Sequence, residues 1–204
     1  MRFPDGGRRT ERVEPRSVVC TSIPIARARR HARIPSGFST RQVYRLARKD
    51  GNSVLRWSLD EVELPAVLTK TYDSGDLDEW LKSYLQSVPE AALHFEAASS
   101  NGEIVGLLTW SLMEWNNTVW LIDIRTREPQ RRRGIGSALI EELKALSRDL
   151  RVRGISVETQ INNYPAVRFY RKHGFAISGF NDHLYANDDL ARQDVALYLF
   201  WENC

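Results

Sequence analysis

Three arginines, Arg131, Arg132 and Arg133, stand directly ahead of Gly134 and Gly136 in the stretch QRRRGIGSALIEEL. Guanidinium groups pair with phosphates, and glycines let a backbone approach a ligand closely. From Ile135 onward apolar residues recur at Leu139, Ile140, Leu143, Leu146 and Leu150, which is a helical period. The first turn of such a helix leaves its amides unpaired at the positive end of the helix dipole. Residue types and spacing together describe a cradle for a phosphate-rich ligand. The competing readings are a solvated or nucleic-acid-binding arginine face and a glycine pair that only makes a turn.

A second stretch, NNYPAVRFYRKHGF, has legible boundaries. Asn162 or Asn163 suits the N-cap, Pro165 the first turn, the cationic residues the last turn and Gly174 the C-cap. Tyr170 on this short helix is flanked by Val167 and Phe169, as a core aromatic would be. His94, His173 and His183 form no pairing pattern that marks a nucleophilic or metal site, so a structural role is expected for each. Cys20 and Cys204 match no metal spacing, and no metal is expected.

The elements that must position these stretches are read from pattern. QVYRLAR and SVLRWSL around KDGN read as a hairpin, and ALHFEAASSNGEIVGLLTWSLME as a second one about Asn101 and Gly102. Between them, LPAVLTKTYDSGDLDEWLKSYLQSVPE reads as helical, most clearly from Asp76 with Leu77, Trp80, Leu81, Tyr84 and Leu85 on one stripe. NNTVWLIDIRT is a strand feeding the cradle, GISVETQI a buried strand after the helix, and FAISGFN and DVALYLFW close the chain, the last interior to the sheet. That order predicts an α/β protein with a mixed central sheet and helices on both faces.

With 204 residues, 42% hydrophobic, the chain suits one domain and an extension. Residues 1–40 hold nine arginines, no lysine and three acids, a net of +6 against +3 for the whole chain, so the remaining 164 residues are mildly acidic. That distribution argues against a nucleic-acid partner. Residues 1–40 are expected to be a disordered Arg-rich extension and 41–204 the folded domain. No stretch is long and apolar enough to span a membrane, and a cytoplasmic location is expected.

The motif Arg131-x-x-Gly134-x-Gly136 with SALIEEL behind it and VWLIDIRT ahead of it, joined to N-x-x-A-x-x-x-Y-x-x-x-G-F at Asn163, Ala166, Tyr170, Gly174 and Phe175, resembles the GCN5-related N-acetyltransferases (GNAT). The similarity covers roughly residues 42–204. Within that family VETQINNYPAVRFYRKHGFAISGFNDHLYANDD and MEWNNTVWLIDI look most like the streptothricin acetyltransferases.

The resemblance implies a GNAT fold, acetyl-CoA as co-substrate, and direct transfer of acetyl to a primary amine on a cationic small molecule. It implies pyrophosphate on the amides of Arg132, Arg133, Gly134, Ile135, Gly136 and Ser137, charge from Arg131 and its neighbours, and pantetheine along Ile124 to Thr126 where the strand splays. Asn163 becomes a cofactor contact as well as a cap, Tyr170 the general acid, and Asp123 the base, with Glu158 the alternative. Glu114, Trp115, Asp182, Tyr185, Asp188 and Asp189 are candidates to hold a cationic acceptor. A protein or peptide amine is the alternative acceptor, a non-catalytic acyl-CoA-binding module the rival of another class, and the assembly is expected to be a monomer or homodimer.

Overall fold

The computed structural model describes residues 18–31, 33–50, 55–84 and 89–204. Seven strands lie side by side in the order β1 (Val19–Ile23), β4 (His94–Ser100), β5 (Glu103–Met113), β6 (Thr118–Thr126), β7 (Gly154–Gln160), β9 (Ala196–Glu202) and β8 (Ala176–Asn181). Neighbours are antiparallel except β6 and β7. The remaining strands, β2 (Ser36–Asp50) and β3 (Leu55–Asp73), form a separate two-stranded ribbon.

Alternation along the strands sends side chains into two cores. Phe95 and Ala97 of β4 and Ile104 and Leu107 of β5 meet α1 (Ile25–His31) and α2 (Leu77–Tyr84) through Ala28, Leu77 and Leu81. Val105, Leu108 and Trp110 point the other way, toward α3 (Ile135–Asp149) and α4 (Tyr164–Lys172). The expected stripe on α3 is observed: Leu139, Ile140 and Leu143 are fully buried, while Leu150 just beyond the helix is exposed. The mixed sheet with helices on both faces is thus present, and β9 is interior as its apolar run required.

Two expectations need correction. Residues 18–31 and 33–40 are part of the fold, not an extension: β1 pairs with β4 along its length, and Ala28 and Ile34 are completely buried against α2 and β4. The signal was weak because α1 interleaves arginines with few apolar residues, and its order comes from covering a sheet face and edge. Residues 1–17 lie outside the described residues. The second correction concerns LPAVLTKTY, which is the second half of β3 and not helix. Its register against β2 jumps from Gln42↔Glu63 to Thr40↔Leu68, so Pro65 falls in an irregularity where no ladder donor is required. α2 begins at Leu77 as expected; Leu85 lies outside the described residues.

Candidate active site

β6 and β7 run together only over Val119–Leu121 and Ile155–Val157. Beyond Leu121 the two strands separate, three residues earlier than the expected Ile124. A bulge helps: Thr109 pairs with Asp123 and Trp110 with Leu121, leaving Ile122 as the extra residue that re-aims the rest of β6. The gap opens into a cleft of about 720 Å³, bordered by Ile122 to Thr126 on β6 and by Glu158, Thr159 and Gln160 on β7. At one end lie Arg131, Arg132, Gly136 and Phe169, and at the other Tyr72, Asp73, Trp80 and Tyr185.

The end at the start of α3 is a matter of backbone. Arg132 and Gly134 both take positive φ, 62° and 84°, which curls the chain so that successive amides face one side, an anion-binding geometry. Gly134 is the N-cap of α3 and has no side chain to cap it, and the first intrahelical bond closes from Ala138 to Gly134. The amides before Ala138 are therefore left for a ligand. Arg131, Arg132 and Arg133 are exposed, with Arg131 also reaching the carbonyl oxygens of Thr126 (3.4 Å) and Gly37 (3.5 Å). Ile135 is buried in the core, so only its amide can serve. Gly136 borders the cleft, and its missing side chain has a second consequence: a Cβ there would meet the Phe169 ring at 3.2 Å, so this glycine also permits α3 and α4 to pack. Asn163 accepts from the amide of Ala166 (3.2 Å) as the α4 N-cap and also borders the cleft. Unpaired amides, cations and a strand edge freed beyond Leu121 fit a diphosphate carrying an extended amide-containing arm.

The opposite end is built from charged side chains that no local motif announced. Arg125, with only 3% of its side chain exposed, donates from both terminal nitrogens to Asp73 (3.1 and 3.2 Å) and from Nε to Asp123. It also donates to the Ile34 carbonyl (3.1 Å) and lies over the Trp80 ring. This one residue ties together β6, the end of β3, α2 and the segment after α1. Burial pushes the Asp123 carboxyl up, against the opposing pull of Arg125. Glu158 is also pushed up by burial; its bond is to a neutral partner, the Tyr185 phenol.

Tyr170 comes from α4, 5% exposed, and borders the cleft. Burial raises its phenol well above the ordinary tyrosine range, and the charges of Asp123 and Glu158 raise it further. The two carboxylates and the phenol thus influence one another across the gap, with the phenol held protonated.

Of the six proposed acceptor-holding residues, Tyr185 borders the cleft. Asp189 is buried and accepts from the Tyr185 amide (2.8 Å), fixing that loop ahead of α5 (Asp189–Arg192). Glu114 and the 81%-exposed Trp115 do not border it, Asp182 pairs with His183, and Asp188 lies near Arg192. Tyr72, Asp73, Trp80 and Arg125 border the cleft instead; their alternation in β3 and β6 and the helical stripe of α2 carried no sign of a common site. His94 stacks on Trp110, whereas His173 bridges α3 and α4 through Ser137 and Glu141, a pairing the sequence did not reveal. Among the described residues no cluster of three or more His, Cys, Asp or Glu is arranged for a metal, and no helix is long and apolar enough to cross a membrane.

The chain is similar to known proteins both in sequence and in fold. The family model for the acetyltransferase (GNAT) family matches residues 53–175. Streptothricin acetyltransferase A of Bacillus subtilis (strain 168) is 27% identical over 146 residues, covering 71% of this chain and 78% of that protein. Nourseothricin acetyltransferase superposes with a TM-score of 0.73 at 22% identity, covering 92% of this chain and 99% of the other. A Bacillus anthracis str. Ames protein provisionally described as a streptothricin acetyltransferase, solved in complex with acetyl coenzyme A, gives 0.69 at 24% identity, covering 91% and 99%.

Proposed function

This chain belongs to the acetyltransferase (GNAT) family and is an acetyl-CoA-dependent N-acetyltransferase, and from that premise we propose that its acceptor is a cationic small molecule bearing a primary amine, of the streptothricin type. The observation that carries the proposal is the acceptor end of the cleft. Two carboxylates, Asp73 and Asp123, hold a single buried guanidinium, and a third, Glu158, borders the same cleft from β7, with Trp80, Tyr72 and Tyr185 as aromatic walls. Such a lining holds organic cations through charge and ring faces. The relative from Bacillus subtilis, whose name specifies streptothricin, supports the same acceptor.

Acetyl-CoA supplies the activated acyl group as a thioester. We assign its diphosphate to the amides from Arg132 to Ser137 and the adjoining arginines, and its arm to the free edge of β6 from Ile124 to Thr126, with Asn163 at the facing helix end. The acceptor amine must lose a proton before it attacks, because an ordinary ammonium is charged at neutral pH. Asp123 already holds the Arg125 guanidinium, so an ammonium would compete there with a fixed cation. At Glu158 it competes only with the Tyr185 phenol. Glu158 is therefore the group we assign to receive the proton, directly or through water, and Asp123 and Asp73 supply charge that draws the cation in. Tyr170, kept protonated by its surroundings, is the donor to the departing thiolate. Direct attack in a ternary complex requires no nucleophile from the protein.

The test is acetyl transfer by purified protein to streptothricin and to a lysine peptide, with resistance measured on expression in a sensitive bacterium. A specificity constant far higher for streptothricin, together with resistance, is expected. Equal or better turnover of the peptide without resistance would move the acceptor to protein amines. Glu158→Gln should lower kcat/KM by roughly 10²–10⁴-fold. In the unsubstituted enzyme kcat/KM rises with pH through a value above the ordinary glutamate range, because the base must be charged and burial raises it; the variant should lose that limb. If Glu158→Gln keeps both rate and limb while Asp123→Asn loses them, the base is Asp123.

A further inference from the structure

His173 closes α4 with its side chain 10% exposed, and its two ring nitrogens face two residues of α3. Nε2 lies 3.0 Å from Ser137 Oγ and Nδ1 lies 3.4 Å from Glu141 Oε1. Ser137 is the third residue of α3, so its hydroxyl belongs to the same first turn whose amides are left unpaired.

The hydrogen positions are set by the partners. An ionised carboxylate only accepts, so Nδ1 facing Glu141 carries hydrogen. A neutral ring then has a bare Nε2, and the single hydroxyl hydrogen of Ser137 is drawn into it. In that state Ser137 presents only lone pairs to an incoming phosphate. When the ring is protonated, Nε2–H donates to Ser137 Oγ, and the hydroxyl hydrogen is released to point elsewhere. We propose that His173 is a positioning residue for the cofactor: its protonated form turns the Ser137 hydroxyl into a donor for the diphosphate, so acetyl-CoA binding takes up a proton at His173. This rests on the assignment of the diphosphate to the start of α3.

Groups from three elements surround the ring. From α3 it meets Glu141, with Lys144 behind it at 2.9 Å from the same carboxylate oxygen. From its own helix it meets the Phe169 ring, while the neighbouring Arg171 is turned toward the Tyr44 hydroxyl and Lys172 is exposed. From β9, Trp201 packs beside Gly174 and holds Lys144 and Arg148 over its face. Glu141 is the one anion in that set, and it pairs with the ring nitrogen that must keep its hydrogen in either state.

Calorimetric titration of the full chain with acetyl-CoA tests the coupling, at a series of values from about pH 5.5 to about pH 8.5. Repeating it at one pH in buffers of different ionisation enthalpy counts the protons taken up. Affinity should weaken as pH rises, by roughly tenfold or more, the worth of one hydrogen bond to a charged group. His173→Gln provides a side-chain amide that can donate to Ser137 at every pH. It should bind well, with only the pH dependence that the ligand's own phosphate contributes, its second ionisation lying near ~6. Ser137→Ala should bind weakly at low pH and lose the proton uptake. Glu141→Gln should move the transition to lower pH, because the imidazolium loses its carboxylate. Equal pH dependence and equal proton uptake in the unsubstituted protein and His173→Gln would overturn the proposal. If Arg132→Ala and Gly134→Val also bind acetyl-CoA normally, the failure lies in the assignment of the cradle itself.

Discussion

Replacing Arg125 by leucine is the most demanding perturbation of the acceptor end. The guanidinium holds Asp73 through two bonds and Asp123 through a third, and these carboxylates are only 9% and 16% exposed. Leucine leaves two anions facing each other with little solvent, and also removes the bond to the Ile34 carbonyl and the cation from the Trp80 face. Breaking a buried ion pair from one side costs about 3–5 kcal/mol. At roughly 2–4 °C per kcal/mol for a domain of this size, Tm at neutral pH should fall by about 10 °C. The penalty has a predictable pH dependence. Burial raises the Asp123 carboxyl and Arg125 is the charge that opposes it, so without the cation that carboxyl titrates further above its unfolded value; the destabilisation is full at neutral pH and is relieved as pH falls and it takes up a proton. Thermal melts of both proteins at neutral pH and near ~5 should show the gap narrowing in acid. Arg125→Lys keeps a charge without the planar fork and should recover part of the loss. A Tm within a degree of the unsubstituted protein, or a gap independent of pH, would refute the claim that this ion cluster holds the acceptor end together.

Tyr170→Phe keeps the ring among Val167, Phe169 and Phe175 and removes a hydroxyl that has no hydrogen-bonding partner among the described residues. Turnover should fall by roughly 10²–10⁴-fold, with Tm and acetyl-CoA affinity close to those of the unsubstituted protein; steady-state kinetics that match the parent would return Tyr170 to a packing role. Gly134→Val places a Cβ where nothing lies within 4 Å but at φ 84°, so its cost is backbone strain of about 1–2 kcal/mol. Calorimetry should show acetyl-CoA affinity reduced at least tenfold while the fold survives. Gly136→Ala, whose Cβ presses on Phe169, should instead be read most clearly as a lowered Tm.

The two ends of the cleft differ in how much of them a linear sequence can reveal. The end we assign to the cofactor depends on backbone: two positive-φ residues, a helix start and an N-cap asparagine, each determined within a few positions of itself. Glycine spacing and an apolar period therefore announce it in QRRRGIGSALIEEL and NNYPAVRFYRKHGF. The acceptor end depends on side chains brought together from far apart. Arg125 and Asp73 are 52 positions apart, and Tyr185 reaches Glu158 across 27. In its own strand Arg125 alternates like any polar residue, and nothing local distinguishes a buried guanidinium from a solvated one. The N-terminal segment is hidden in the sequence for the same reason, since Ala28 and Ile34 are ordered by α2 and β4 and not by a period of their own. His173 shows the limit from the other side: both helices of its relay are legible, yet Ser137 and His173 are 36 positions apart and meet only because Gly136 lets Phe169 settle against α3. A site whose cofactor half is local and whose acceptor half is assembled from β3, α2, β6, β7 and the loop before α5 can exchange acceptors by changing distant side chains while the diphosphate cradle stays intact. Substitutions at Asp73, Trp80 and Tyr185 should accordingly alter which amine is acetylated, and substitutions from Arg131 to Ser137 should alter how tightly the acyl donor is held.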